Sequence, residues 1–460
     1  MASSASTRSE SIAPENAPGE TPWHLSGNYG PVPDELTAFD LPVTGAIPPE
    51  LRGLYVRNGP NPKDGSSPHW FFGSGMVHGV RLEGGTAAWY RNRWVRTRLF
   101  ETGADRMDGA NMLDKTLSAA NTHVVGHAGR ILALEEGAFP YELTAELETA
   151  DCEDYGGRLT TAFTAHPKLC PDTGELHFFG YGFVEPYLVY HALDARGRLV
   201  HSAPISVPGP TMMHDFMITR EHAIFMDLPV VFSLERAMRG EVPLYWDESY
   251  GARIGILPRM GTDADVRWFE IDPCYVFHPM NAYVEDGKVV CDVGRHAHMW
   301  RTSMNDFAPS YLWRWTFDLA TGKVGEQQLD DRAHGFPRVD DRVQGKKHRY
   351  GWAVAARAGH EQVVGAPGVV VKYDLATGAQ AEHDFGPAAH PDEFVFVESH
   401  PGAGPDEGYA LGYVYDSARD ASDLVILDAT RPEAKPVAVV HLPRRVPHGF
   451  HGSWIGDPRA

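Results

Sequence analysis

Apolar and polar residues alternate along most of this chain with a period of two, in short runs separated by Gly- or Asp-bearing turns. That period is the mark of strands with one covered face, and the punctuation is that of hairpins. Two stretches are near copies: "RWTFDLATGKV" (314–324) and "VVKYDLATGAQ" (370–380). Looser relatives are "VRLEGGTAAWY" (80–90), "VYHALDARGRLV" (189–200), "AYVEDGKVVCDV" (282–293) and "DLVILDAT" (423–430). Helical periodicity is scarce, and only "NMLDKTLSAA" (111–120) and "SLERAMRG" (233–240) predict helices. Repeated hairpins with weak internal similarity point to an all-β propeller. At about 50–65 residues per blade, the length accommodates about seven blades. No linker-like boundary follows residue 20, so residues 21–460 are expected to form one domain.

Composition narrows the function classes. The chain has 460 residues, 43% of them hydrophobic, which is ample for a packed interior. A formal charge of −20 repels nucleic acid and anionic lipid, which excludes a nucleic-acid role and leaves at most weak peripheral membrane contact. No apolar run approaches the roughly 18 residues a spanning helix needs. The opening "MASSASTRSESIAPENAPGE" lacks the apolar core of a secretory signal and reads as a disordered tail over residues 1–20. The four cysteines form no CxxC pair, so free thiols in a reducing cytoplasm are expected.

Histidine is the outlier, with 23 residues. Four stand in similar contexts at strand ends: "TAHPKL" (His166), "MMHDFMIT" (His214), "VFHPMNAY" (His278) and "GFHGSW" (His451). Their intervals match neither a zinc finger nor an HExxH helix. They suit blades that each aim one inner-strand residue at a common axis. Taken singly, a histidine beside apolar residues is more often a hydrogen-bonded core residue. The tail "RVPHGFHGSWIG" adds His448, three residues before His451. Residues three apart in an extended segment face opposite sides, but Gly449 permits a turn, so spacing leaves both histidines open.

Ordered motifs resolve this by resemblance. "LRGLYVRNGPNP", "HWFFGSGMVHGVRL", "AHPKLCPDTGELHFFGYGF", "MHDFMIT", "FHPMNAY", "FPRVDDR" and "RVPHGFHG" together resemble the carotenoid cleavage oxygenases, a family that includes apocarotenoid oxygenases and lignostilbene dioxygenases. The resemblance runs from about residue 40 to about residue 455. It implies a seven-bladed β-propeller with a cap of loops and short helices over the axis. It further implies a ferrous ion, Fe(2+), held by His166, His214, His278 and His451, with His448 outside the set. The implied reaction is cleavage of a conjugated C=C bond by O2 to two carbonyl products. Glutamates that orient such ligands fall on Glu136 in "LEEGAFPY" and Glu393 in "PDEFVFVESHP". The family's third glutamate is missing: "HGFPRVD" has Gly335 in its place.

Substrate choice is less marked. Lignostilbene-type members grip a phenol with a Lys and a Tyr; here the Lys position is Glu135, and the Tyr position falls near Phe100. Phe100, Trp300 and Phe307, with Glu135, are the expected pocket walls. The segment "LPVVFSLERAMRG" (228–240) offers an apolar rim or a core-packed helix. The balance favours an apocarotenoid or related polyene, with a phenylpropanoid or stilbene as the alternative. A metal-dependent propeller hydrolase would want carboxylates around its ion, and a silent binding propeller would not need four histidines.

Overall fold

A computed structural model describes residues 21–106, 108–109, 111–239, 241–357 and 365–457. The expected tail over residues 1–20 lies outside them. Seven antiparallel sheets form the blades of a propeller. The second to sixth blades are four-stranded, with inner strands His123–His127, Lys168–Leu169, Met217–Ile218, Tyr275–Glu285 and His334–Arg338.

The first and seventh blades are closed by strands from opposite ends of the chain. Gly452–Gly456 pairs with Gly53–Pro60 as the inner edge of the first blade, with Tyr55 opposite Trp454. Val43–Gly45 pairs with Ala438–His441 at the outer edge of the seventh. Apolar side chains seal the seam between these blades: Tyr55, Val80 and Leu82 pack with Leu411, Tyr413, Leu424 and Ile426. The Tyr55 and Tyr413 rings meet edge to face at 4.9 Å. Such a contact contributes about 1 kcal/mol, so area burial along the seam dominates the closure.

The period-two pattern forms the expected hairpins. In the near-copies, Gly322 and Gly378 both have φ of +75°, and the amide of each donates to the carbonyl of the Asp four residues earlier, at 2.8 Å. A β-carbon is disfavoured at that φ. Burial follows radial position: every residue of Gly53–Pro60 is buried, whereas the outer strand Ala379–Asp384 is mostly exposed.

The helix forecast needs correction. Residues 111–120 are turns and extended chain, and the helix instead lies just upstream as α1 (Arg98–Thr102). The Thr97 side chain caps it by accepting from the Phe100 amide, and Gly103 ends it in the left-handed region. Within 233–240 the helix is α2 (Leu234–Met238), N-capped by Ser233; Gly240 lies outside the described residues. A two-stranded ribbon, Val230–Phe232 with Leu244–Trp246, brackets α2. Both helices sit in long connections that cap the axis.

Candidate metal centre

Four blades each deliver one histidine. His166, His214 and His451 immediately precede or nearly abut inner strands of the third, fourth and first blades. His278 lies inside the inner strand of the fifth, at an irregularity between Val276 and Asn281. Such a bulge re-aims a side chain that the regular pleat would point elsewhere. One nitrogen from each of the four histidines lies within 4.8 Å of the others. His166 Nε2 is 2.9 Å from His214 Nε2, which is 3.2 Å from His278 Nε2.

Hydrogen bonds on the far side of the rings fix what those nitrogens are. His214 Nδ1 donates to Glu136 Oε2 at 2.6 Å, and His451 Nδ1 donates to Glu393 Oε1 at 3.2 Å. Each imidazole that donates from Nδ1 presents a lone pair at Nε2. Converging lone pairs repel unless a cation lies among them, so the donor set fits a divalent metal. Four imidazoles without a carboxylate suit iron, copper, zinc or nickel. Burial holds His166 and His278 neutral well below the usual histidine range, with the neighbouring histidines pushing the same way.

The outer partners differ from ring to ring. Glu136 also accepts from Tyr181 Oη at 2.8 Å. Glu393 accepts from the Gly452 amide at 2.7 Å and faces Arg338 Nη1 at 3.4 Å. Burial would raise the Glu393 carboxyl, but Arg338 and His451 outweigh it and bring it to about 2. His166 Nδ1 lies 3.5 Å from Asp215, whose other oxygen binds Lys168 Nζ at 2.8 Å. Sequence reasoning does not pick out Asp215, Tyr181 or Arg338; the available signal is adjacency, of Asp215 to the ligand in "MHDF" and of Arg338 to Gly335 in "HGFPRVD". Together, Glu136, Glu393 and Asp215 against Lys168 and Arg338 leave one net negative charge around the histidines, which favours a dication.

At Gly335 no carboxylate is supplied. Phe336 has φ of +52° and lays its ring against His278, with centroids 5.4 Å apart and planes inclined by 23°. A bulky residue in the left-handed region is strained, and such strain gathers at working sites.

Two further histidines stand close by. His123 is 5.2 Å from His451 by ring centroids, but its nitrogens bind the Ala165 carbonyl and Ser453 Oγ. His448 is buried outside the cluster, with Nδ1 3.6 Å from Asp392 and its ring against Tyr29. Gly449 separates His448 from His451 because of crowding: a β-carbon there would collide with the Arg57 guanidinium and the Asn58 carbonyl. The Phe450 amide donates to that carbonyl, and the Asn58 amide donates to the His451 carbonyl, locking the segment in place.

A cavity of about 1610 Å³ opens onto His214, His278 and His451. Ordinary small-molecule pockets hold about 300–1,000 Å³, so this one admits an elongated ligand. Its walls are mainly apolar, and Trp300, Phe307 and Glu135 are among them. Phe100 is not. The cap on α1 turns Phe100 inward onto Trp94 at 5.9 Å, and Leu99 lines the cavity instead. Glu135 is also unavailable to a phenol, because Arg106 binds both its oxygens, at 2.8 and 2.7 Å, and the Ala119 amide donates to it at 2.6 Å. At the rim, Leu234 and Met238 of α2 are 56% and 81% exposed.

This combination defines a class: β-propeller enzymes with an axial four-histidine metal site beneath an apolar cavity. The family model described as retinal pigment epithelial membrane protein, RPE65, matches residues 29–456. A carotenoid cleavage oxygenase of Mycobacterium tuberculosis is 40% identical, covering 94% of this chain and 97% of its own length. An isoeugenol monooxygenase of Pseudomonas putida is 33% identical, covering 94% and 97%. Among solved structures, lignostilbene dioxygenase of Pseudomonas brassicacearum superposes with a TM-score of 0.87 at 29% identity, covering 94% and 98%. Cobalt-substituted Synechocystis ACO superposes with a TM-score of 0.83 at 27% identity, covering 93% and 97%. The chain belongs to the carotenoid cleavage oxygenase family, and it is an oxidoreductase of the dioxygenase type.

Proposed function

We propose that the protein is an Fe(II) dioxygenase that cleaves a C=C bond of an apocarotenoid or similar extended conjugated alkene, giving two carbonyl products. The convergence of His166, His214, His278 and His451 at the floor of an apolar cavity carries this reading. A ferrous ion bound there supplies the activation of O2 that side chains cannot. The four histidines are its ligands, and Glu136 and Glu393 retain the Nδ1 protons of His214 and His451, keeping both rings oriented. The aromatic walls, Phe277, Trp300, Phe307 and Phe336 among them, exclude water and hold a flat polyene by its faces. The apolar rim at Leu234 and Met238 favours entry of such a ligand.

The cavity volume favours a polyene over a stilbene, and so does the engagement of Glu135 by Arg106. Likeness to lignostilbene dioxygenase and isoeugenol monooxygenase supports the smaller aromatic alkenes as a second reading. The free cysteines support a cytoplasmic location.

The test is turnover by protein loaded anaerobically with Fe(II), then exposed to O2 with β-apo-8′-carotenal, resveratrol, isoeugenol or a lactone. Aldehyde release from the carotenal supports the proposal, and release from resveratrol or isoeugenol alone favours the second reading. Lactone opening without O2 would replace both with a hydrolase.

A further inference from the structure

The cavity is mainly apolar apart from its histidines, and its cationic side chains gather on one wall, where the cap meets the second blade. Arg106, Lys115 and Glu135 stand together there. Glu135 is saturated: beyond Arg106 and the Ala119 amide, its Oε1 accepts from the Gly137 amide at 3.1 Å. Arg106 spends its charge on this pair and thereby ties the cap to the blade. Of the other acids in the lining, Glu136 is held by His214 and Tyr181, Glu241 binds Arg239 at the rim, and Asp105 lies in the exposed cap loop.

Lys115 is different. Its backbone is fixed, since its carbonyl accepts from the Phe139 amide at 2.8 Å. Its ammonium has no hydrogen bond or ion pair with any described residue, although the side chain faces the cavity. Burial lowers its pKa, Arg106 adds to the effect, and Glu135 opposes it. An ammonium is strongly hydrated, so one that is half-buried beside a carboxylate already saturated by other donors gains from any acceptor a ligand brings. Arg106 and Lys115 against Glu135 leave this wall with one net positive charge.

We propose that Lys115 is a specificity-determining residue that holds an oxygen-bearing terminus of the substrate, a carboxylate most strongly and an aldehyde next. The inference rests on the polyene reading above, with the remaining chain of the ligand lying along the aromatic walls. Lys115 supplies a donor only, so a hydrocarbon end gains nothing from it, and an alcohol gains less than a carboxylate.

Binding to the metal-free protein, read by quenching of tryptophan fluorescence, separates this inference from the cleavage reading. The ligands are all-trans-retinoic acid and all-trans-retinol. Lys115→Met is expected to weaken binding of the acid about tenfold or more, with a much smaller change for the alcohol. Lys115→Arg is expected to restore most of the loss, with the melting temperature of both variants near wild type. Equal loss for acid and alcohol would make Lys115 a packing residue and overturn the inference, as would no loss for either or no binding of either ligand to wild type. If the acid binds through Lys115 but no polyene is cleaved, the polyene reading fails and Lys115 remains only as a carboxylate-binding residue of the cavity.

Discussion

Phe336 occupies the flank of His278 with ring centroids 5.4 Å apart, whereas His214 and His451 each meet a glutamate through Nδ1. An aromatic face positions an imidazole by contact but accepts its Nδ1 proton poorly. Carboxylate partners raise ligand basicity, and losing one typically costs about 10–100-fold in metal affinity. Gly335→Glu should therefore slow iron loss to a chelator by about tenfold. Unchanged or faster loss would show that Phe336 already supplies what the carboxylate would.

Glu136 and Glu393 should separate in their effects. Glu136→Gln is expected to weaken metal binding by about 10–100-fold with a small change in stability. Glu393→Gln should do the same and also lower folding stability by about 1–3 kcal/mol, because Arg338 keeps Asp341 but loses its buried carboxylate partner. Chelator titration and urea denaturation of the metal-free proteins measure the two quantities separately. Equal urea midpoints for the two variants would contradict the role given to Arg338.

The two tail histidines should behave oppositely. His451→Ala should cost more than about 100-fold in metal affinity, beyond the loss expected for an outer partner. His448→Ala should retain the metal and lose about 1–3 kcal/mol of stability, because it opens space between Tyr29 and Asp392. Metal analysis after gel filtration decides, and an empty site in His448→Ala would refute the assignment within the tail.

Acid should destabilise the metal-free protein early. His166 and His278 are held neutral well below 6.5, and burial brings His123 to about 3. Their folded values are lowered, so the stability they contribute is present above pH 6.5. Below it the unfolded chain takes up protons that the folded one refuses. Each such histidine costs about 1.4 kcal/mol per pH unit below 6.5 until its folded pKa is reached. The urea midpoint should thus fall steadily from pH 7 to pH 5, and a flat midpoint over that range would contradict the burial of these rings.

Much of this site is legible in the chain because a propeller puts like residues in like places. The hairpin repeats, the strand-end histidines and the glutamates next to Gly137 and Phe394 are local patterns, and local patterns survive in sequence. Missed features depend on contacts between distant segments. Asp215 meets His166 from the next blade, Arg338 reaches Glu393 across the sixth and seventh, and Phe336 turns onto His278 through a backbone conformation that no propensity favours. The misplaced helix at 111–120 reflects an apolar spacing that serves the cavity wall, where Met112 and Lys115 face the ligand space. Phe100 lies off the cavity wall because a helical cap, invisible to period-two reasoning, turns it onto Trp94.

The most direct test of the four-histidine dioxygenase reading is a single turnover of Fe(II)-loaded protein with β-apo-8′-carotenal under 18O2, with the aldehydes trapped by reduction before mass analysis. The expected result is one 18O atom in each of the two cleavage products and none of either product from His451→Ala. Cleavage without label in either product, or undiminished cleavage by His451→Ala, would contradict it.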